Sequence, residues 1–184
     1  MSWEKVFDVC YWKNPGMREE NIEQFLTQWN QSLTEQEITE IMRSQRNPFP
    51  ESNPLHQLYK PFDPAKWTIP DRPLPPSYLD FLRYADGGEF GNGERYFQFF
   101  SSGQLREMLL AYEFPEYMPG AVPFAMDGCG NHYIWDMRIP WKNGEYPIVV
   151  SHSGNLGYED AVIIADTFEK LCEGTTSADD ILNE

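Results

Sequence analysis

The stretch Phe-Ala-Met-Asp-Gly-Cys-Gly-Asn-His-Tyr-Ile-Trp-Asp-Met, residues 124–137, decides the fold because it holds a tight turn between two extended segments. The turn is Asp-Gly-Cys-Gly, residues 127–130, whose glycines tolerate the backbone conformations that such turns need. After it the chain alternates, so that Tyr133, Trp135 and Met137 fall on one face of an extended strand. This pattern predicts a half-buried strand that is joined to the preceding one by the turn.

Further strand signals lie on both sides of this turn. The predicted strands are residues 94–100, 121–126, 131–137, 147–152 and 161–165. The last of them is apolar without alternation, which is typical of a central strand covered on both faces. A glycine-rich turn at residues 87–93 is expected before the first strand, and helices with apolar stripes are predicted over residues 78–85, 105–112 and 168–172. Clustered strands joined by short turns indicate an α+β fold with a mixed, largely antiparallel sheet and helices packed around it.

The N-terminal third shows helical patterns and then many prolines. Apolar residues at helical spacing form one stripe: Ile22, Phe25, Leu26, Trp29 and Leu33. Thr34 and Glu37 have the spacing of a capping box that begins a second helix. Nine prolines between residues 47 and 76 then predict an extended connection, and the apolar residues among them place it against the core.

The length of 184 residues suits one domain with an appended segment. The predicted parts are an N-terminal helical segment at residues 1–60, a core at residues 61–174 and an acidic tail at residues 175–184. We expect the first part to pack on the core, because its helices carry apolar stripes that need cover.

The chain is strongly acidic, with 14 Lys and Arg residues against 29 Asp and Glu residues and a net charge of −15. Such a field repels nucleic acids and anionic membranes and attracts basic partners, although solubility alone also explains it. Three cysteines without a repeated spacing indicate reduced thiols. The N-terminus lacks a signal pattern, and no apolar run approaches the roughly 20 residues of a membrane helix. We therefore expect a cytoplasmic protein that binds neither nucleic acid nor membrane.

Three sequence blocks occur in an order and spacing that are specific when taken together. They are Leu-Pro-Pro-Ser-Tyr-Leu-Asp-Phe-Leu at 74–82 with Asp-Gly-Gly at 86–88, Phe-Ala-Met-Asp-Gly-Cys-Gly-Asn at 124–131, and Ala-Asp-Thr-Phe-Glu-Lys-Leu at 165–171. The blocks resemble the first helix, the glycine turn and the last helix of the Smi/Knr-type domain of the SUKH superfamily. The resemblance covers residues 67–172.

The sequence departs from the family pattern at two positions, since Asp86 stands where Asn is usual and Lys170 where an apolar or aromatic residue is usual. The resemblance implies an α+β fold with helices around a mixed sheet. In bacteria it implies a cytoplasmic immunity protein that neutralises a secreted toxin, often a nuclease, by binding it. In fungi, relatives regulate cell-wall synthesis as interaction hubs. Neither role is catalytic, and the motif residues of the family are mainly structural.

Two groups of side chains are candidates for catalytic or metal chemistry. Cys129 and His132 could form a nucleophile and its base, but an incidental cysteine in a hairpin turn is the simpler interpretation. A second group offers oxygen and nitrogen ligands for a metal: Asp127, His132, Asp136 and His152. Nothing in the sequence brings His152 to the others, and solvated strand residues explain the group equally well. We expect no catalytic residue, no metal site and no cofactor.

Aromatic residues exceed what one small core obviously needs, although core positions explain most of them singly. Aromatic side chains among acids make good contacts for a basic partner, and residues 112–118 and 141–146 combine both types. The predicted partner-binding residues are Phe90, Glu113, Phe114, Glu116, Tyr117, Trp141 and Glu145.

The leading hypothesis is a non-catalytic protein-binding module of the immunity type, a monomer or weak dimer whose partner is a basic toxin domain. One alternative is a housekeeping interaction or scaffold protein of the same fold. Another is a hydrolase that uses Cys129 or a metal site.

Overall fold

The computed structural model describes residues 2–138 and 142–183. Within them the chain forms one seven-stranded sheet in which the spatial order of the strands equals their order in the sequence. The strands are β1 (Val9–Lys13), β2 (Gly88–Asn92), β3 (Arg95–Phe99), β4 (Ala121–Met126), β5 (Asn131–Asp136), β6 (Ile148–His152) and β7 (Val162–Ala165). The helices are α1 (Glu19–Leu26), α2 (Glu35–Ser44), α3 (Pro76–Tyr84), α4 (Ser102–Ala111), α5 (Phe114–Tyr117), α6 (Phe168–Glu173) and α7 (Ala178–Leu182), with short 3₁₀ turns at Trp3–Lys5, Pro54–Leu58 and Pro64–Lys66.

The predicted α+β class is confirmed, and the sheet is antiparallel at every pair of neighbouring strands rather than mixed. The strand β1 had no sequence signal because all five of its residues are exposed and show no alternation. The glycine-rich stretch is the strand β2 and not a turn. Gly88 is required there because a side-chain carbon at this position would lie 2.6 Å from the carbonyl oxygen of Trp12.

The position predicted for residues 161–165 is wrong, since β7 is an edge strand and not a central one. Within residues 2–138 and 142–183 no later strand pairs with it, and Ile163 is 65% exposed. A run of apolar residues therefore marked a sheet edge here, because length and hydrophobicity alone do not reveal how many neighbours a strand has.

The inner face of the sheet packs against α3 and α6 through aromatic rings. Phe81 of α3 lies at the centre, with its ring centroid 4.7 Å from that of Phe99 and 5.5 Å from that of Phe168. Phe90 and Phe97 complete this cluster and are fully buried. Aromatic side chains bury large areas each, so this face supplies much of the stabilisation of the fold.

The N-terminal segment contributes to the same core. The Trp3 ring packs on Phe81 with centroids 5.3 Å apart, and its indole N–H donates to Asp80 Oδ2 at 3.0 Å. The predicted capping box of Thr34 and Glu37 is confirmed at the start of α2, whereas the first helix ends at Leu26 instead of continuing to Leu33. The domain boundaries drawn from the sequence stay a prediction.

The outer face of the sheet is covered unevenly. The helices α4 and α5 lie over β4 and β5, where His132 contacts the rings of Tyr112 and Phe114. Asp86 fixes the start of α4, because its carboxylate accepts the backbone N–H of Ser102 at 2.6 Å. No helix in the described part of the chain is long and apolar enough to cross a membrane.

Candidate functional site

A groove of about 470 Å³ runs between α2 and α4 and ends at α5. Its apolar floor is formed by Ile41 of α2 and Leu110 of α4. Four carboxylates surround this floor: Glu37, Glu40, Glu107 and Glu113. An apolar floor with acidic walls suits a long cationic side chain, whose aliphatic stem and charged head need different surroundings.

Arg106 is the basic residue in the groove wall, and it is engaged by the protein itself. Its guanidinium binds both carboxylate oxygens of Glu37, at 2.7 and 3.0 Å, and this contact lowers the pKa of Glu37 to about 2. It also donates to the carbonyls of Trp29 and Gln31 at 3.1 and 2.8 Å. Within the described residues Glu40, Glu107 and Glu113 form no salt bridge, so the groove keeps a negative charge that its own arginine does not neutralise.

Glu113 has the most unusual surroundings of the three. Its backbone is left-handed, with φ of 57° and ψ of 32°, a conformation that costs a non-glycine residue free energy. Burial raises the pKa of its carboxyl group, and the nearby Glu116 carboxylate adds to the effect. Glu113 also lines a second cleft, together with Tyr117 and Ser153. A strained carboxylate with a raised pKa between two clefts is a candidate binding residue.

The proline-rich connection holds α5 in place beside the groove. The indole N–H of Trp67 donates to Glu116 Oε2 at 2.7 Å. The ring of Phe62 meets that of Tyr117 edge-on, with centroids 5.4 Å apart. Tyr117 remains 46% exposed. The acid–aromatic surface of α5 is therefore held in one arrangement before any partner arrives.

The structure separates the seven residues that the sequence had grouped. Glu116 and Tyr117 lie on α5, and Glu113 is the residue that caps its start. Phe90 and Phe114 are fully buried, so their predicted exposure is wrong. Phe90 faces α3 from β2, and Phe114 is turned under α5 toward the sheet.

The other two predicted residues lie away from the groove. Glu145 is engaged within the protein, since its carboxylate accepts hydrogen bonds from the Ser77 hydroxyl and from the backbone N–H of Phe168. Trp141 lies outside the described residues.

The groove residues Glu40, Arg106 and Glu107 were missed by sequence reasoning. Each sits on the polar side of a helix, where charged residues are ordinary. A signal did exist, because Glu37, Glu40 and Ser44 share one face of α2 at helical spacing. The sequence could not show that α2 and α4 line one groove, because 57 residues of the chain lie between the two helices.

The residues considered for chemistry have different environments. The Cys129 side chain is exposed, whereas His132 is fully buried and its pKa is lowered to about 4 by burial. Asp127 holds the turn, because its carboxylate accepts the backbone N–H groups of Cys129 and Asn131 at 2.8 and 2.9 Å. Asp136 is paired with Arg138. In residues 2–138 and 142–183 no group of three or more His, Cys, Asp and Glu is placed to hold a metal ion.

The fold and groove define a class of protein: an α+β domain whose antiparallel sheet supports a helical surface with an acidic cleft. The chain belongs to the SMI1 / KNR4 family (SUKH-1), whose model matches residues 66–174. A comparison with curated proteins found no significant match. The matched range contains α4 and α5 but not α2 or β1, so one wall of the groove and one edge of the sheet come from outside it.

Proposed function

We propose that this chain is a non-catalytic protein-binding module that holds a basic domain of a partner in the groove between α2 and α4. We propose further that it acts in the cytoplasm, as a monomer or weak dimer, as an immunity protein against a toxin, often a nuclease. The observation that carries the proposal is the set of three carboxylates, Glu40, Glu107 and Glu113, around an apolar floor.

A local contact and a long-range field both favour a basic partner. A lysine or arginine of the partner would lay its stem on Ile41 and Leu110 and bring its charge to the surrounding carboxylates. The net charge of −15 would speed the approach of a basic domain, and salt would slow it. Acid should weaken binding, beginning with protonation of Glu113, because its pKa is raised.

The test begins with capture of partners from the native cytosol, and of the protein encoded beside this one, at low and then high salt. The captured basic protein is purified, and its Kd is measured with the double variant Glu40→Lys and Glu107→Lys. The matched control is Glu51→Lys with Glu173→Lys, which makes the same charge change at exposed acids outside the groove.

We expect the groove variant to weaken binding by at least about tenfold more than the control does, because like charges face each other at close range. Equal losses in the two variants would show that only overall charge matters and would contradict the groove. Capture of several unrelated proteins, with no basic toxin domain among them, would favour the scaffold alternative.

A further inference from the structure

A second surface, separate from the groove, lies on the uncovered half of the outer sheet face. We call it the open face and define it as Tyr11, Trp12, Glu89, Tyr96 and Gln98. Tyr11 and Trp12 are 60% and 50% exposed, and the other three are partly exposed. Contiguous exposed apolar surface is a feature of interaction sites, and Tyr11 and Trp12 are neighbours in the chain.

The strand register brings the open face together. Trp12 of β1 is opposite Glu89 of β2, which is opposite Gln98 of β3. The Tyr11 ring lies over Gly91, 3.5 Å from where a side-chain carbon would begin, and its centroid is 5.6 Å from that of Tyr96. A side-chain carbon at position 91 would meet the Tyr11 ring at ordinary contact distance, and the Tyr11 and Tyr96 rings form a corner beside the carboxylate.

Glu89 is held ready for a positive charge. The Tyr96 hydroxyl donates to Glu89 Oε2 at 2.6 Å, and this bond, assisted by Trp12, lowers the pKa of the carboxyl group. Within the described residues Glu89 forms no salt bridge. Lys13 is not available to it, because its ammonium donates to the Tyr84 carbonyl at 3.0 Å and lies over the Tyr84 ring. An ionised carboxylate beside aromatic faces attracts guanidinium and ammonium groups.

The strand that carries these aromatics is also an edge of the sheet. β1 pairs with β2 on one side and ends the sheet on the other. An edge strand offers a row of backbone N–H and C=O groups to an added strand. Strand addition at such an edge combines backbone pairing with specific contacts to alternate side chains.

We propose that an extended segment of a partner protein pairs with β1 as an eighth strand and places an arginine or lysine side chain against Glu89, Trp12 and Tyr11. Charge favours this occupant over a second copy of the chain, because two copies would each bring a net charge of −15 to the contact. The open face shares no residue with the groove, so either surface can bind without the other.

The probe is a capped nine-residue peptide in which arginine alternates with valine, labelled for fluorescence anisotropy. Two matched peptides serve as controls. One has glutamate in place of arginine, and the other keeps the arginines but has alternate backbone nitrogens methylated, so that it cannot pair as a strand. Amide hydrogen exchange compares β1 with β7. The strand β7 is the other edge of the same sheet, and its residues Val162–Ala165 are neither acidic nor aromatic.

We expect the arginine peptide to bind and to slow exchange in β1 but not in β7. Trp12→Ala should weaken it about tenfold and Glu89→Gln about fivefold, in line with loss of a cation–π contact and of one charge pair. Slowed exchange in β1 without slowed exchange in α2 or α4 separates this site from the groove. The charge control is Glu51→Gln with Glu173→Gln, which removes two exposed acids outside both surfaces and should change peptide binding less than Glu89→Gln does. Circular dichroism confirms that each variant is folded.

Three results would overturn the proposal. The first is equal binding of the methylated peptide, which would show charge attraction without strand pairing. The second is binding that is unchanged in both Trp12→Ala and Glu89→Gln. The third is concentration-dependent self-association that Trp12→Ala abolishes, since this would make a second copy the occupant.

Discussion

The two halves of the outer sheet face carry similar side chains and have different environments. In the covered half, His132 is fully buried, with its ring centroid 4.4 Å from that of Tyr112. In the open half, Tyr11 and Trp12 keep half or more of their surface in solvent. The difference is the presence of α4 and α5 over one half only. Aromatic content alone therefore does not distinguish a core from a binding surface, whereas the cover above it does.

The largest effect is expected from Phe114→Ala in the covered half. Phe114 is fully buried beside His132, and removing a buried phenylalanine side chain costs about 3–5 kcal/mol through lost burial and a cavity. Urea unfolding followed by circular dichroism measures the free energy of unfolding. The control is Tyr117→Ala in the same helix, which should cost about 1 kcal/mol or less because the ring is 46% exposed. Similar losses in both variants would contradict the distinction.

The second expectation is that low pH lowers the stability of the covered half. The pKa of His132 is about 4 in the fold against an ordinary value of 6.5. The unfolded chain therefore binds more protons than the folded protein between these values, so stability falls as pH drops from about 6.5 to about 4. The cost approaches 3 kcal/mol, about 1.4 kcal/mol for each unit of pKa difference.

The measurement is the free energy of unfolding at pH 7 and at pH 4 for the native chain and for His132→Gln. The variant should lack the part of the pH dependence that comes from His132. His56→Gln is the matched control, because His56 lies in the Pro54–Leu58 turn and is not among the groups that shift the pKa of His132. If His132→Gln kept the whole pH dependence, the buried imidazole would not be its source.

The sequence predicted the class and the central hairpin because both depend on local patterns. The turn at Asp127 and the alternation through Tyr133 and Trp135 survive in β4 and β5. The edge strands were misplaced or missed because neighbours in a sheet are set by contacts across long stretches of chain. β1 lies 75 residues before its partner (88 − 13 = 75).

Only the part of the candidate site that lies on one short stretch of sequence was predicted. Glu113, Glu116 and Tyr117 were found because acids and aromatics alternate over one short stretch. Phe90 and Phe114 were chosen by the same criterion but face the core. A shift of one position along a helix or strand moves a side chain from the exposed face to the buried one. Finding Glu40 and Glu107 required knowing that α2 and α4 line one groove, which no local pattern encodes.

The third expectation concerns Arg106 of α4, which lines the groove. Arg106 joins α4 to Glu37 of α2 and to the backbone carbonyls of Trp29 and Gln31 in the segment before α2. Arg106→Met should cost about 2 kcal/mol, because it leaves a partly buried carboxylate and several carbonyls without their donor. Arg83→Met is the control, since Arg83 forms an exposed pair with Glu19, and such pairs contribute about 1 kcal/mol or less.

Limited proteolysis supplies a second measurement for Arg106→Met. Faster cleavage between α1 and α2 than in the native chain is expected if the arginine fixes this connection. Equal stability losses in Arg106→Met and Arg83→Met would show that the contact is an ordinary surface pair.

The smallest effect is expected from Tyr11→Thr in the open half. Threonine keeps the preference for an extended backbone, and the ring that is lost is 60% exposed, so the free energy of unfolding should change by about 0.5 kcal/mol or less. The same urea titration that is used for Phe114→Ala measures it. A loss above about 1.5 kcal/mol would place Tyr11 in the structural packing of the sheet and remove the contrast between the halves. A small loss would mean that the exposed ring contributes little to folding, which is the property expected of a side chain kept for contact with another molecule.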